Sequence, residues 1–164
     1  MHNETPQEAS AALHSAIDEA LQLFLRVDEA RTNVRPQPGK WCAREVLGHL
    51  IDSACNNHRR FIVGQSPDTT RFEGYKQDEW VSRQRYHEVP WHELVALWSA
   101  YNRHLAHVMS STSAAAAAGS AASPDGSGQV TVAFLMIDYV HHLRHHVAQI
   151  RALLNAQGSM PKAQ

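Results

Sequence analysis

A chain of 164 residues, 43% apolar and 19% charged, has the composition of a globular protein, and it is long enough to bury a core as a single domain over residues 1–164. Its formal net charge of -1, without any run of Lys or Arg, argues against nucleic acid as a partner. No segment reaches the roughly 18 consecutive apolar residues that span a bilayer, and the start, MHNETPQEAS, lacks the basic and apolar regions of a signal peptide, so a cytoplasmic location is expected.

The first helix announces its start: Thr5-Pro6-Gln7-Glu8 supplies an N-cap hydroxyl, Pro at the first helical position and Glu three residues after the cap. Leu13, Ile17, Leu21, Phe24 and Val27 then recur at helical spacing, until Pro36, Pro38 and Gly39 break the chain. A second helix is predicted from about Trp41 to Val63, with Val46, Leu47, Leu50, Ile51, Ala54, Phe61 and Ile62 as its apolar side. The stretch from Gly64 to Pro90 reads as a long crossover with a short helical piece near residues 79–85. A third helix follows, carrying Leu94, Leu97, Trp98, Tyr101, Leu105 and Val108. Residues 110–129, rich in Ser, Ala and Gly, read as a mobile low-complexity linker. The fourth helix, from about Thr131 to Ala156, has Met136, Val140, Leu143, Val147, Ile150 and Leu154 as its stripe. No strand pattern of period two appears. The fold class is therefore all-α, a four-helix bundle. The break after the first helix predicts that the first two are antiparallel neighbours, and the long crossover lets the second and third run parallel. An up-down-down-up order results, with the second and fourth helices antiparallel.

Twelve histidines are present, four of them within residues 141–146. His141 with His145, and His142 with His146, each have the i, i+4 spacing that points two imidazoles the same way. At about 100° per residue, the first pair lies opposite the apolar stripe and faces water. The second lies beside the stripe, flanked by Leu135, Tyr139 and Leu153, and faces a partner helix. His49, set among Val46, Gly48 and Leu50 on the second helix, is the candidate third ligand. It stands about 12 Å from the start of its helix and His146 about 15 Å from the end of the fourth, so antiparallel packing brings them level. Three neutral imidazoles suit one divalent ion, Zn²⁺, Ni²⁺ or Fe²⁺, and leave coordination positions open. The remaining histidines carry no such signal: His58 lies half a turn from His49, His104 and His107 have no partner beyond the third helix, and His2, His14, His87 and His92 are expected at the surface. A di-iron site is excluded, because Glu45 and His49 do not have the acidic-x-x-His interval that Asp138 and His141 show.

The blocks WCAREVLGHLIDSA (41–54), NNHRRF (56–61) and DYVHHLRHHVAQI (138–150) resemble the DinB/YfiT-like superfamily of metal-binding four-helix bundles, the damage-inducible family and not the DNA polymerase of the same name. The family pattern is one His in the second helix and H-x-x-x-H-x-x-Q-I in the fourth. Gln149-Ile150 fixes that register and again selects His142 and His146. The resemblance covers about residues 10–155 and includes FEGYKQDEW (72–80); the linker departs from it.

Around the ligands, Glu45, Asp52, Asp138 and Gln149 are candidates to hold an imidazole N–H. Tyr75, Trp80, Tyr86 and Trp91 are candidates to wall the open side, and Arg59 with Arg60 to meet an anionic substrate. The resemblance implies a metal-dependent enzyme, either a transferase using a low-molecular-weight thiol or a hydrolase. The alternative is a non-catalytic metal-binding or stress-response protein. No catalytic side chain is identifiable: there is no G-x-S-x-G or H-E-x-x-H, and Cys42 and Cys55 show no sign of activation. A small-molecule substrate is the expected partner, a homodimer is allowed, and neither nucleic acid nor a membrane is expected.

Overall fold

A computed structural model describes residues 5–158; His2 lies outside them. Helix α1 (Pro6–Phe24) begins as its sequence dictates, with Glu8 N donating to Thr5 Oγ1 at 3.2 Å and Thr5 N to Glu8 Oε2 at 2.6 Å. Helix α2 (Ala43–Val63) uses a different cap: Glu45 folds back on the Cys42 N–H at 3.0 Å. Helix α3 (Gln77–Gln84) lies in the crossover, and α4 (Trp91–Ser111) and α6 (Val132–Gly158) complete the bundle. No helix among the described residues is long and apolar enough to cross a membrane.

The apolar stripes meet in one core. Leu13, Ile17 and Phe24 pack with Leu47, Leu50, Phe61, Trp98, Leu105, Met136, Leu143 and Ile150, all fully buried. Two stripe members point outward instead: Ile62 is 50% and Leu97 is 53% exposed. The order is up-down-down-up, since Gln7 reaches the Ser110 and Thr112 carbonyls while His58 meets Tyr101 and His49 meets His142.

One neighbour relation differs from the sequence expectation. Helix α1 packs on α4 and α6, and α2 packs on the same two, so α1 and α2 are antiparallel but face each other across the diagonal. The cause is the connection over residues 25–42. Its 3-10 turn (Glu29–Asn33) crosses the end of the bundle, where Glu29 Oε1 accepts from Trp91 N at 3.0 Å and Arg31 donates to the Leu154 carbonyl.

The linker is also not the featureless segment its composition suggests. After the short helix α5 (Ala114–Ala117), β1 (Ser120–Ala122) and β2 (Gln129–Thr131) form an antiparallel hairpin with Ala121 opposite Val130. The hairpin is fastened to the crossover by Phe72 N to Ala122 O at 2.9 Å and Ala122 N to Thr70 O at 3.0 Å. Strands this short leave almost no alternation to read. Their main-chain bonds to a distant segment are invisible in composition.

Candidate metal centre

His49 is presented by the middle of α2, and His142 and His146 by successive turns of α6, which runs antiparallel to it. His49 is buried and the other two are half-buried, whereas His141 and His145 are exposed. One nitrogen from each of His49, His142 and His146 lies within 4.8 Å of the other two. His49 Nε2 and His142 Nε2 stand 3.2 Å apart. Two nitrogens bound tetrahedrally to one ion at about 2.1 Å would be about 3.4 Å apart, so the donor set fits a shared divalent ion.

The other ring nitrogens are occupied by oxygens. Gln149 Oε1 lies 2.7 Å from His146 Nδ1, Ser53 Oγ 3.4 Å from His142 Nδ1, and Tyr75 Oη 3.5 Å from His49 Nδ1. Each can accept a hydrogen bond from Nδ1–H, and in that tautomer the Nε2 lone pair is free as a donor to a metal. Burial, the largest cause, also keeps the imidazoles neutral. It lowers the His49 pKa to about 3, helped by the neighbouring His146 and His142, and that of His142 to about 4, helped by His146 and His145. His146 is lowered too, again mainly by burial, although its bond to Gln149 acts the other way. The His49 ring packs against Trp41, with centroids 5.2 Å apart.

The cluster opens on a cavity of about 400 Å³ between α2 and α6, lined by His49, Ser53, Asn57 and Arg60 from one helix and Leu135, Asp138, Tyr139 and His142 from the other. Tyr75 and Gln77 of the crossover, and Ser123, Pro124, Asp125, Ser127 and Val130 of the hairpin, close it.

Gln149 and Tyr75 therefore stand where the sequence places them, and Trp80 backs Tyr75 edge-on with ring centroids 5.1 Å apart. Asp138 lines the cavity, but no hydrogen bond joins it to His142 among the described residues. The other candidates are drawn elsewhere. Glu45 serves the α2 cap and pairs with Arg35 at 2.5 Å. Asp52 accepts from Gln84 Nε2 at 2.6 Å and Tyr86 Oη at 2.7 Å, so Tyr86 anchors the crossover to α2 and leaves the cavity to Tyr75. Burial, partly offset by those two bonds, raises the Asp52 pKa. Gly48, beside His49, gives close approach to the Tyr86 ring: an added Cβ would meet it at 2.0 Å.

Trp91 belongs to the core, edge-on to Phe24 with Nε1 donating to the Phe24 carbonyl at 2.9 Å. Arg59 is exposed and pairs with Glu73 at 2.6 Å; Arg60 is the arginine that lines the cavity. His104 does have a partner beyond its helix, since its ring lies 5.1 Å from that of His58. His87 is half-buried, with Nδ1 3.7 Å from Glu45. Ser53 and Asn57 were missed, although the spacing His49, Ser53, Asn57 continues one face of α2 and was available as a signal.

A Bacillus mycoides (strain KBAB4) protein named "Putative metal-dependent hydrolase" is 23% identical over 127 residues, covering 77% of this chain and 72% of that one. Among solved structures, YfiT from Bacillus subtilis, described as "a probable metal-dependent hydrolase with an unusual four-helix bundle topology", superposes with a TM-score of 0.82 at 20% identity, over 93% of this chain and 87% of its own. That likeness shows a common fold. The DinB superfamily model matches residues 12–150, from the first helix into the last, so the chain belongs to the DinB superfamily.

Proposed function

We propose that His49, His142 and His146 hold one divalent metal ion through their Nε2 atoms, and that the protein is a metal-dependent enzyme acting on a small molecule bound in the adjoining cavity. The observation that carries this is the convergence of three neutral imidazoles, two of which, His49 and His142, have Nε2 atoms 3.2 Å apart and line a cavity of about 400 Å³. A bound divalent ion lowers the pKa of a coordinated water or thiol and so supplies a nucleophile at neutral pH.

The chain's own residues prepare the site for that role. Gln149, Ser53 and Tyr75 place an oxygen beside each Nδ1 atom and so orient the rings. Leu135 and Tyr139, both buried, present an apolar wall that limits water. No side-chain nucleophile competes: Cys42 is buried, with burial raising its thiol pKa, and Cys55 is exposed and does not line the cavity. The attacking group is therefore brought by water, which makes a hydrolase, or by a low-molecular-weight thiol, which makes an S-transferase.

The test uses untagged protein loaded in turn with Zn²⁺, Ni²⁺ and Fe²⁺. One equivalent should bind the native chain and the His141→Ala and His145→Ala variants, and be lost from His49→Ala, His142→Ala and His146→Ala. The loaded protein is then assayed with monochlorobimane and a panel of thiols, and with ester and amide substrates. Turnover with thiol selects the transferase and turnover with water alone the hydrolase. Metal binding without either would make this a binding protein, and retention of metal by His142→Ala would overturn the ligand set.

A further inference from the structure

The end of the cavity away from the histidines carries a cation that the metal-holding arrangement does not use. On α2, His49, Ser53, Asn57 and Arg60 follow one another along one face, and all four line the cavity. At 1.5 Å per residue, the Cα of Arg60 stands about 16 Å along the helix from that of His49. Its guanidinium is held in place without being neutralised. Nε and Nη2 donate to the main-chain carbonyl of Glu73 at 3.1 and 2.7 Å, and Nη1 donates to Asn57 Oδ1 at 3.3 Å.

A guanidinium has five N–H donors, so one on each terminal nitrogen stays uncommitted. The Glu73 carboxylate is taken by Arg59, and no ion pair to Arg60 occurs among the described residues. Arg60 is half-buried, and burial works against its charge while Tyr75 and Asp138 act the other way. Two other charges border the cavity. Asp125, on the hairpin, is committed to Ser123 Oγ at 2.5 Å and Ser127 N at 2.9 Å. Asp138 is exposed and forms no ion pair with Arg60.

A fixed, half-desolvated guanidinium with a vacant fork is an oxyanion receptor. We propose that Arg60 binds an anionic group, a carboxylate or a phosphate, on a substrate whose reacting atom lies at the three histidines. The substrate is thus an elongated anion, charged at the end remote from the reaction. The inference rests on the metal centre proposed above and adds the substrate class to it.

The test uses cobalt(II)-loaded protein and a series of ω-mercaptocarboxylates of increasing chain length, each beside its methyl ester. The thiolate marks the metal through its charge-transfer band, and the carboxylate probes Arg60. At the best chain length the acid should bind about tenfold more tightly than the ester, the scale of one charge-assisted contact. Arg60→Gln should abolish that preference, the acid losing about tenfold more affinity than the ester. Arg60→Lys, which keeps the charge, should retain part of it, and Asp138→Asn should increase it. Circular dichroism of each variant checks that the Glu73 loop has not unfolded the chain, and Arg60→Lys with Asp138→Asn decides the matter if Arg60→Gln fails to fold. Cobalt bound with equal affinity for acid and ester, or a preference that survives Arg60→Gln, overturns the Arg60 assignment alone. Failure to bind one equivalent of cobalt overturns the metal centre and this inference with it.

Discussion

At the scale of single residues, the convergence of His49, His142 and His146 was legible because an i, i+4 pair beside an apolar stripe faces a partner helix. Gln149 was legible for the same reason, lying one turn beyond His146. Glu45, Trp91 and Arg59 were not, because spacing does not reveal what a side chain prefers to bond: Glu45 caps its own helix and Trp91 fills the core. The Gln149 contact is the one most open to test. Gln149→Ala should leave the metal stoichiometry intact and weaken affinity about 10- to 100-fold, read by competition with a chromogenic chelator. The imidazoles also set a pH response. His49 and His142 titrate near 3 and 4 in the folded chain, against 6.5 when unfolded. Below pH 6.5 the unfolded chain therefore takes up protons that the folded one refuses. The metal-free protein should lose melting temperature steadily as pH falls from 6.5 towards 4, and His49→Ala should flatten that slope.

At the scale of elements, the helices were readable and the connections were not. Sustained apolar periodicity located the four long helices to within a few residues. The hairpin of residues 120–131 was lost, because three-residue strands rich in Ala and Ser look like a linker. The crossover was anticipated as a segment, but its anchoring was hidden. Tyr86 lies over Gly48 and gives its hydroxyl to Asp52, contacts set by tertiary packing. Gly48→Ala should therefore displace Tyr86 and cost about 1–3 kcal/mol in denaturant unfolding, as overpacking commonly does. Pairing it with Tyr86→Ala should recover part of the overpacking cost, because the added methyl then meets no ring. Unchanged or raised stability in Gly48→Ala, the result that alanine gives at an exposed helical glycine, would mean that the ring is not wedged there.

At the scale of the whole molecule, the core does not need an ion to close it. Leu13, Leu50, Trp98 and Leu143, each 0% exposed, come from all four long helices. Chelated protein should keep its helical circular dichroism and lose only a few degrees of melting temperature; unfolding at room temperature on adding chelator would make the metal structural. The up-down-down-up order was readable from connection lengths, but the diagonal placement of α1 and α2 was not, since a loop's length does not fix which neighbour it reaches. The fastening of hairpin to crossover through Phe72 and Ala122 has a further consequence. The three histidines proposed to hold an ion stand on two long helices, whereas much of the opposite wall is built from chain that joins helices. Such joints accept insertions and sequence drift far better than packed helices do. The histidine cluster and the cavity wall facing it can then diverge at different rates. Exchanging the hairpin tip, residues 123–128, should change which compounds are accepted and leave metal affinity where it was. In a lineage of such bundles, new substrates would be acquired by editing joints, with the histidine cluster as the inherited constant.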